Sequence, residues 1–156
     1  MSEQELKLWL EVAKHDSETA RLIIQNDGYP DIGIYHVHQA VEKLLKALFI
    51  NNHVIPPKVH FLDQLFRQLE AMYPSISIEL QNILLIDKYL PKLRYPSSDL
   101  LSKDELIDCF EAFQSIRNTV FSIVYDNVRN LKKRESHRKL LHNRQKTKEE
   151  NDGSGK

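Results

Sequence analysis

Arg94-Tyr95-Pro96 is the short run in this chain whose residue types most readily suggest chemistry. Proline biases the residue before it toward an extended backbone, so Pro96 fixes how Arg94 and Tyr95 are presented. A guanidinium beside an aromatic ring can hold a phosphate and stack a base. The plainer alternative is that Tyr95 plugs the end of a helical bundle while Arg94 pairs with a carboxylate. Lys43 and Lys46 pose a similar choice, between phosphate contacts and solvated helix charges. His36 and His38 diverge by about 200° around a helix and cannot share one metal ion. His53 and His60 fall in connectors, and no acidic partner stands at ligand spacing. Glu-x-x-His, the di-metal signature of helical bundles, does not occur, so no metal site is expected. Neither a Walker-type glycine loop nor Gly-x-Gly-x-x-Gly is present, and no cofactor is expected.

The elements that must position these residues read as helices. Between residues 3 and 26, Leu6, Leu10, Ala13, Ser17, Ala20 and Ile24 recur at intervals of three and four. Ser2 followed by Glu5 has capping-box spacing, and Asn26-Asp27-Gly28 stops the helix. Asp31 is the expected N-cap of a second helix running to Asn51-Asn52. Its apolar face is Ile34, His38, Val41, Leu45 and Leu48, widened by Val37 and Leu44, which places His38 at an interhelix seam. Ile55-Pro56-Pro57 is an extended connector. A third helix is expected from about Val59 to Met72 and a shorter fourth from Ile78 to Leu90. Ser102 and Glu105 repeat the capping-box spacing before a last long helix, whose apolar face runs through Leu106, Cys109, Phe113, Ile116, Val120 and Ile123. The pattern predicts an all-α fold, an antiparallel up-and-down bundle of four main helices plus a short extra helix.

Bulk properties narrow the class. With 156 residues, the chain suits one domain with a self-sufficient core. Cys109 is the single cysteine, so no internal disulfide can form, and its apolar surroundings suggest a small buried hydrophobe. The early acidic residues do not fit a signal peptide, and no run reaches the roughly 20 apolar residues that cross a bilayer. A cytoplasmic protein without membrane attachment is expected. The formal net charge is zero, divided unevenly. Residues 129–156 hold ten Lys/Arg against four acids, net +6, and residues 1–128 hold 12 against 18, net −6. The expected organisation is a bundle over 1–128 and a basic, largely disordered tail over 129–156. That tail could follow nucleic-acid phosphates or an acidic partner, but it has no aromatic residue for base stacking.

Gln39-Ala-x-Glu42-Lys43-x-x-Lys46-Ala47 resembles the second-helix signature of HEPN domains (higher eukaryotes and prokaryotes nucleotide-binding). His60-x-Leu62-x-x-Leu65 is similar to the family's opening of the next helix, and Arg94-Tyr95-Pro96 to its "RYP" turn. Together they span roughly residues 5–128. The resemblance implies a small protein, often dimeric, often encoded beside a minimal nucleotidyltransferase, that binds nucleotides or acts in toxin–antitoxin-like pairs. It also implies, for toxin members, metal-independent RNA cleavage by an Arg-x4–6-His motif on the last long helix. There the Arg would neutralise a phosphate and the His would move the proton of the attacking 2′-hydroxyl. Arg117-Asn118 matches the start of that motif. Counting on, however, reaches Ser122, Ile123 and Val124, and no histidine follows until His137. Serine does not replace imidazole as a base near neutral pH. The expectation is a nucleotide- or nucleic-acid-associated binding module without catalytic residues, with Lys43, Arg94, Tyr95 and Arg117 as candidate ligand contacts. The alternative is an RNase toxin with a degenerate motif in which Arg117 is the one catalytic candidate.

Overall fold

The computed structural model describes residues 3–95 and 100–152, with side chains through residue 140. Every element among them is helical: α1 (Glu3–Gln25), α2 (Pro30–Asn51), α3 (Leu62–Met72), α4 (Leu80–Asp87), α5 (Leu90–Arg94) and α6 (Lys103–Asp152). The expected all-α class is what the protein adopts. One compact unit of the chain runs to Phe121 and a second begins at Ser122.

Helix α2 is the centre of the first unit, and α1, α3, α4 and α5 all pack against it. The reason lies in its sequence. From Leu44 to Ile50 every residue is buried, and a helix that is apolar nearly all round has to lie inside. Helix α6 reaches the same centre through Gly33. A Cβ built there would stand 2.5 Å from Leu106 Cδ2 and 2.7 Å from Cδ1, so the missing side chain is what admits Leu106.

Helix ends explain most departures from the sequence pattern. Helix α1 stops at a left-handed residue, but Asp27 takes that conformation (φ 51°), with Gly28 N–H donating to Ile23 O at 2.9 Å. His53 (φ 59°) ends α2 in the same way, and Val54 N–H donates to Phe49 O. Both are Schellman-type closures. Asp31 is not the N-cap of α2. Pro30 occupies the first turn, where its missing N–H costs nothing, and Tyr29 holds the cap position. Helix α3 begins at Leu62 rather than Val59, and the expected fourth helix divides at Lys88-Tyr89, because Pro91 opens α5. The Ser102–Glu105 capping box forms reciprocally, with Ser102 N–H donating to Glu105 Oε2 at 2.7 Å and Glu105 N–H to Ser102 Oγ at 3.2 Å. Helix α6 stays helical past Val128, where its apolar pattern weakens, to Asp152. The Ser2 cap and the Pro96 of the Arg-Tyr-Pro run lie outside the described residues.

Candidate functional site

The polar residues of α2 meet partners inside the fold. Glu42, 6 % exposed, accepts at Oε1 from Lys46 Nζ (2.7 Å) and from His60 Nδ1–H (3.1 Å), and at Oε2 from Gln39 Nε2 (3.4 Å). Lys46 is itself 8 % exposed. A buried carboxylate is tolerated when its lone pairs are satisfied in this way. The two sequence signatures, Gln39 to Ala47 and His60 to Leu65, are therefore joined by one hydrogen bond and one shared charge.

One turn earlier on α2, His38 is fully buried and its Nε2–H donates to Asp87 Oδ1 at 3.2 Å. The same carboxylate accepts from the backbone N–H of Leu62 at 3.0 Å (Oδ1) and of Asp63 at 3.2 Å (Oδ2). These are the first amides of α3, left without intrahelical acceptors. Asp87, the last residue of α4, thus caps α3 and ties it to α2. Burial pushes the Asp87 carboxyl up, but the hydrogen bond from His38, the two amides and the His38 charge outweigh it and hold the group below its ordinary value. His38 Nδ1 has no hydrogen-bond partner.

Lys43 points the other way, toward α1. Its ammonium donates to Asp16 Oδ2 at 2.5 Å and to Gln39 Oε1 at 3.4 Å, and His36 Nδ1–H donates to Asp16 Oδ1 at 2.8 Å. Lys43 is half-buried, its charge matched by Asp16. Arg94 and Tyr95 close α5 as exposed neighbours, and Tyr95 is 74 % exposed with an extended backbone (φ −133°, ψ 143°). Tyr95 does not plug the bundle, and Arg94 forms no ion pair with a described residue. Arg117 lies on the exposed side of α6 and stacks over the Phe121 ring, with Cζ 4.8 Å from its centre. Among the described residues no hydrogen bond or ion pair joins Lys43, the Arg94–Tyr95 pair and Arg117.

Other titratable groups are structural. Burial pushes the Cys109 thiol up to about 12, so it is neither a nucleophile nor a ready metal ligand at neutral pH. Tyr89, buried and donating to Glu105 Oε1 at 3.1 Å, is raised to about 12. Among the described residues no group of three or more His, Cys, Asp or Glu stands close enough to hold a metal ion. None of their helices is long and apolar enough to cross a membrane.

The linked signatures on α2 and α3 have a counterpart in comparison with known proteins: the HEPN domain family matches residues 6–145. The chain belongs to the HEPN domain family. Two solved structures share the HEPN fold seen here. One is ST0689, described as an archaeal HEPN homologue (TM-score 0.62, 21 % identity, 76 % of this chain and 97 % of that one). The other is TT1696 from Thermus thermophilus (TM-score 0.59, 19 % identity, 78 % and 97 %). A Methanocaldococcus jannaschii protein named as a candidate toxin, MJ1304, is 36 % identical over 63 residues. That alignment spans 40 % of this chain and 40 % of the relative's length.

Asp87 and the Glu42–His60 contact were not singled out from sequence. Asp87 carries no local signal, since the amides it caps lie 24 and 25 residues earlier. Glu42 and His60 did carry one, each being a member of a family signature.

Proposed function

We propose that this HEPN domain is the binding member of a toxin–antitoxin-like pair, taking nucleotide or nucleic acid without cleaving it. The observation that carries this is the absence of a histidine at the motif's spacing after Arg117 on α6. Arg117 is followed at the motif's spacing by Ser122, Ile123 and Val124, and no arginine in the chain has a histidine after four to six intervening residues. A guanidinium alone can hold a phosphate but does not accept a proton from a 2′-hydroxyl. Buried His38 and exposed His60 already donate to Asp87 and Glu42.

The ligand contacts proposed are Arg94, Tyr95 and Arg117, whose exposed positions suit a phosphate and a base. Lys43 joins them only by exchanging its Asp16 partner for a phosphate. The family resemblance supports a cytoplasmic homodimer with a minimal nucleotidyltransferase as partner, residues 1–128 forming the body and 129–156 a basic tail. Calorimetry with a nucleoside triphosphate is the test. Micromolar binding that Arg94→Ala/Tyr95→Ala weakens at least tenfold is expected. No binding to nucleotide, RNA or a nucleotidyltransferase partner at micromolar concentrations would overturn the proposal.

The similarity to MJ1304 favours one second reading, an RNase toxin with a displaced base. Toxicity on expression that Arg117→Ala abolishes would support it, and harmless expression of the wild type would count against it.

A further inference from the structure

Residues 129–139 of α6 concentrate charge as no other described segment does. Six Lys/Arg (Arg129, Lys132, Lys133, Arg134, Arg138, Lys139) stand against Glu135 alone, and all seven are exposed. Elsewhere Lys7, Lys14, Lys43, Lys46, Arg67 and Lys103 each form an ion pair. The six of the 129–139 segment form none with a described residue. Arg129 and Lys133, and Arg134 and Arg138, are like charges four residues apart, a spacing that opposes the helix until an anion relieves it. At about 100° per residue, Arg129, Lys132, Lys133 and Lys139 share an arc of about 120°, with Ser136 and Leu140 inside it. Arg134 and Arg138 lie on the opposite flank. Residues of this arc line a shallow open groove along the helix.

We infer that this arc is a cradle for the sugar–phosphate backbone of a nucleic acid. The inference rests on the nucleic-acid-binding reading above and adds where the phosphate chain lies. Charge density favours a polyphosphate over an acidic protein. Along eleven residues at about 1.5 Å rise the arc carries four cations, about one charge per 4 Å, near the roughly 3.4 Å per charge of one nucleic-acid strand. By contrast, the acidic part of this chain spreads a net −6 over 128 residues. With no aromatic residue after Tyr125, the arc contacts phosphates and reads no bases. Binding is therefore independent of base sequence and steeply dependent on salt.

The test is fluorescence anisotropy of the full chain with a labelled 20-nucleotide single-stranded RNA between 50 and 300 mM salt. Four phosphate contacts give a slope of log affinity on log salt of about −3. Lys132→Ala/Lys133→Ala weakens binding at least fivefold at 100 mM salt and makes the slope about 1.4 less steep. Arg134→Ala/Arg138→Ala stays within twofold. All four positions are exposed, so helicity and thermal midpoint report retained folding. RNA binding by the wild type that the Lys132/Lys133 variant keeps, with the same slope, overturns the inference alone. So does equal loss in the Arg134/Arg138 variant, or tighter binding of poly-glutamate than of RNA, which would point to an acidic protein partner. No RNA binding by the wild type defeats the inference and the nucleic-acid branch of the proposed function together, while nucleotide calorimetry still reports on Arg94 and Tyr95.

Discussion

Asp87 shows how much one side chain holds in this fold. Its carboxylate satisfies two amides of α3 and the buried His38 imidazole at once, and an asparagine there removes the charge and turns one of its two acceptor oxygens into a donor. Asp87→Asn should lower stability by about 1–3 kcal/mol at pH 7, read from denaturant unfolding. The pH dependence has a definite sign. The folded-state carboxyl is held below its ordinary 3.8, so its contribution is complete above that value and is lost as the pH falls through the lower folded one. The gap between wild type and Asp87→Asn should close over that acid window, and a gap constant down to pH 2 would contradict the assignment. Cys109 gives a second expectation at this scale. With its thiol buried and raised to about 12, reaction with a thiol reagent at pH 8 should be at least a hundredfold slower in the native protein than in denaturant. Comparable rates would show an open site. From sequence, the buried character of Cys109 and of His38 was legible, because both lie on apolar helix faces. The partners of Asp87 and the Asp16 partner of Lys43 were not, since capping and pairing across 24 to 49 residues leave no periodic trace.

At the scale of elements, α2 explains why the family is readable from so few positions. Glu42 and Lys46 on this helix and His60 before α3 form one network, and Leu62 and Leu65 are fully buried beneath it. These signature positions stabilise the meeting of two helices, which any member of the fold needs whatever it binds. They therefore identify the architecture and leave the ligand open. The Arg94-Tyr95 end of α5 differs, being exposed and free of a packing role that would account for both side chains. Gly33 is the element-scale contact most open to test. Gly33→Ala gains helix propensity of about 1 kcal/mol, but the new methyl overlaps Leu106, itself 1 % exposed, at a typical cost of about 1–3 kcal/mol. Net destabilisation is expected, smaller when Leu106→Ala is added than the two single losses combined. Strict additivity in that double-mutant cycle would mean that α2 and α6 do not meet there. Helix order and most boundaries followed from apolar periodicity, while the expected fourth helix is two, α4 and α5. The boundaries that moved were set by Pro30, Pro91 and the distant cap on α3, all of which override local pattern.

Across the whole molecule, the HEPN fold is present and no histidine follows Arg117 on α6 until His137. The charge asymmetry between residues 1–128 and 129–156 was legible in the sequence, as was the missing histidine, because both depend only on which residues occur where. The ligand contacts proposed, Arg94, Tyr95 and Arg117, are exposed side chains, and exposure is decided by packing that no single stretch encodes. The most direct test of the central claim is RNA cleavage by the purified protein, measured for the wild type and for Arg117→Ala under the same conditions. A binding module predicts intact RNA with both proteins, over times in which a catalytic HEPN toxin would degrade it. Cleavage by the wild type that Arg117→Ala abolishes would contradict the account and make this protein an RNase with its base in an unexpected place.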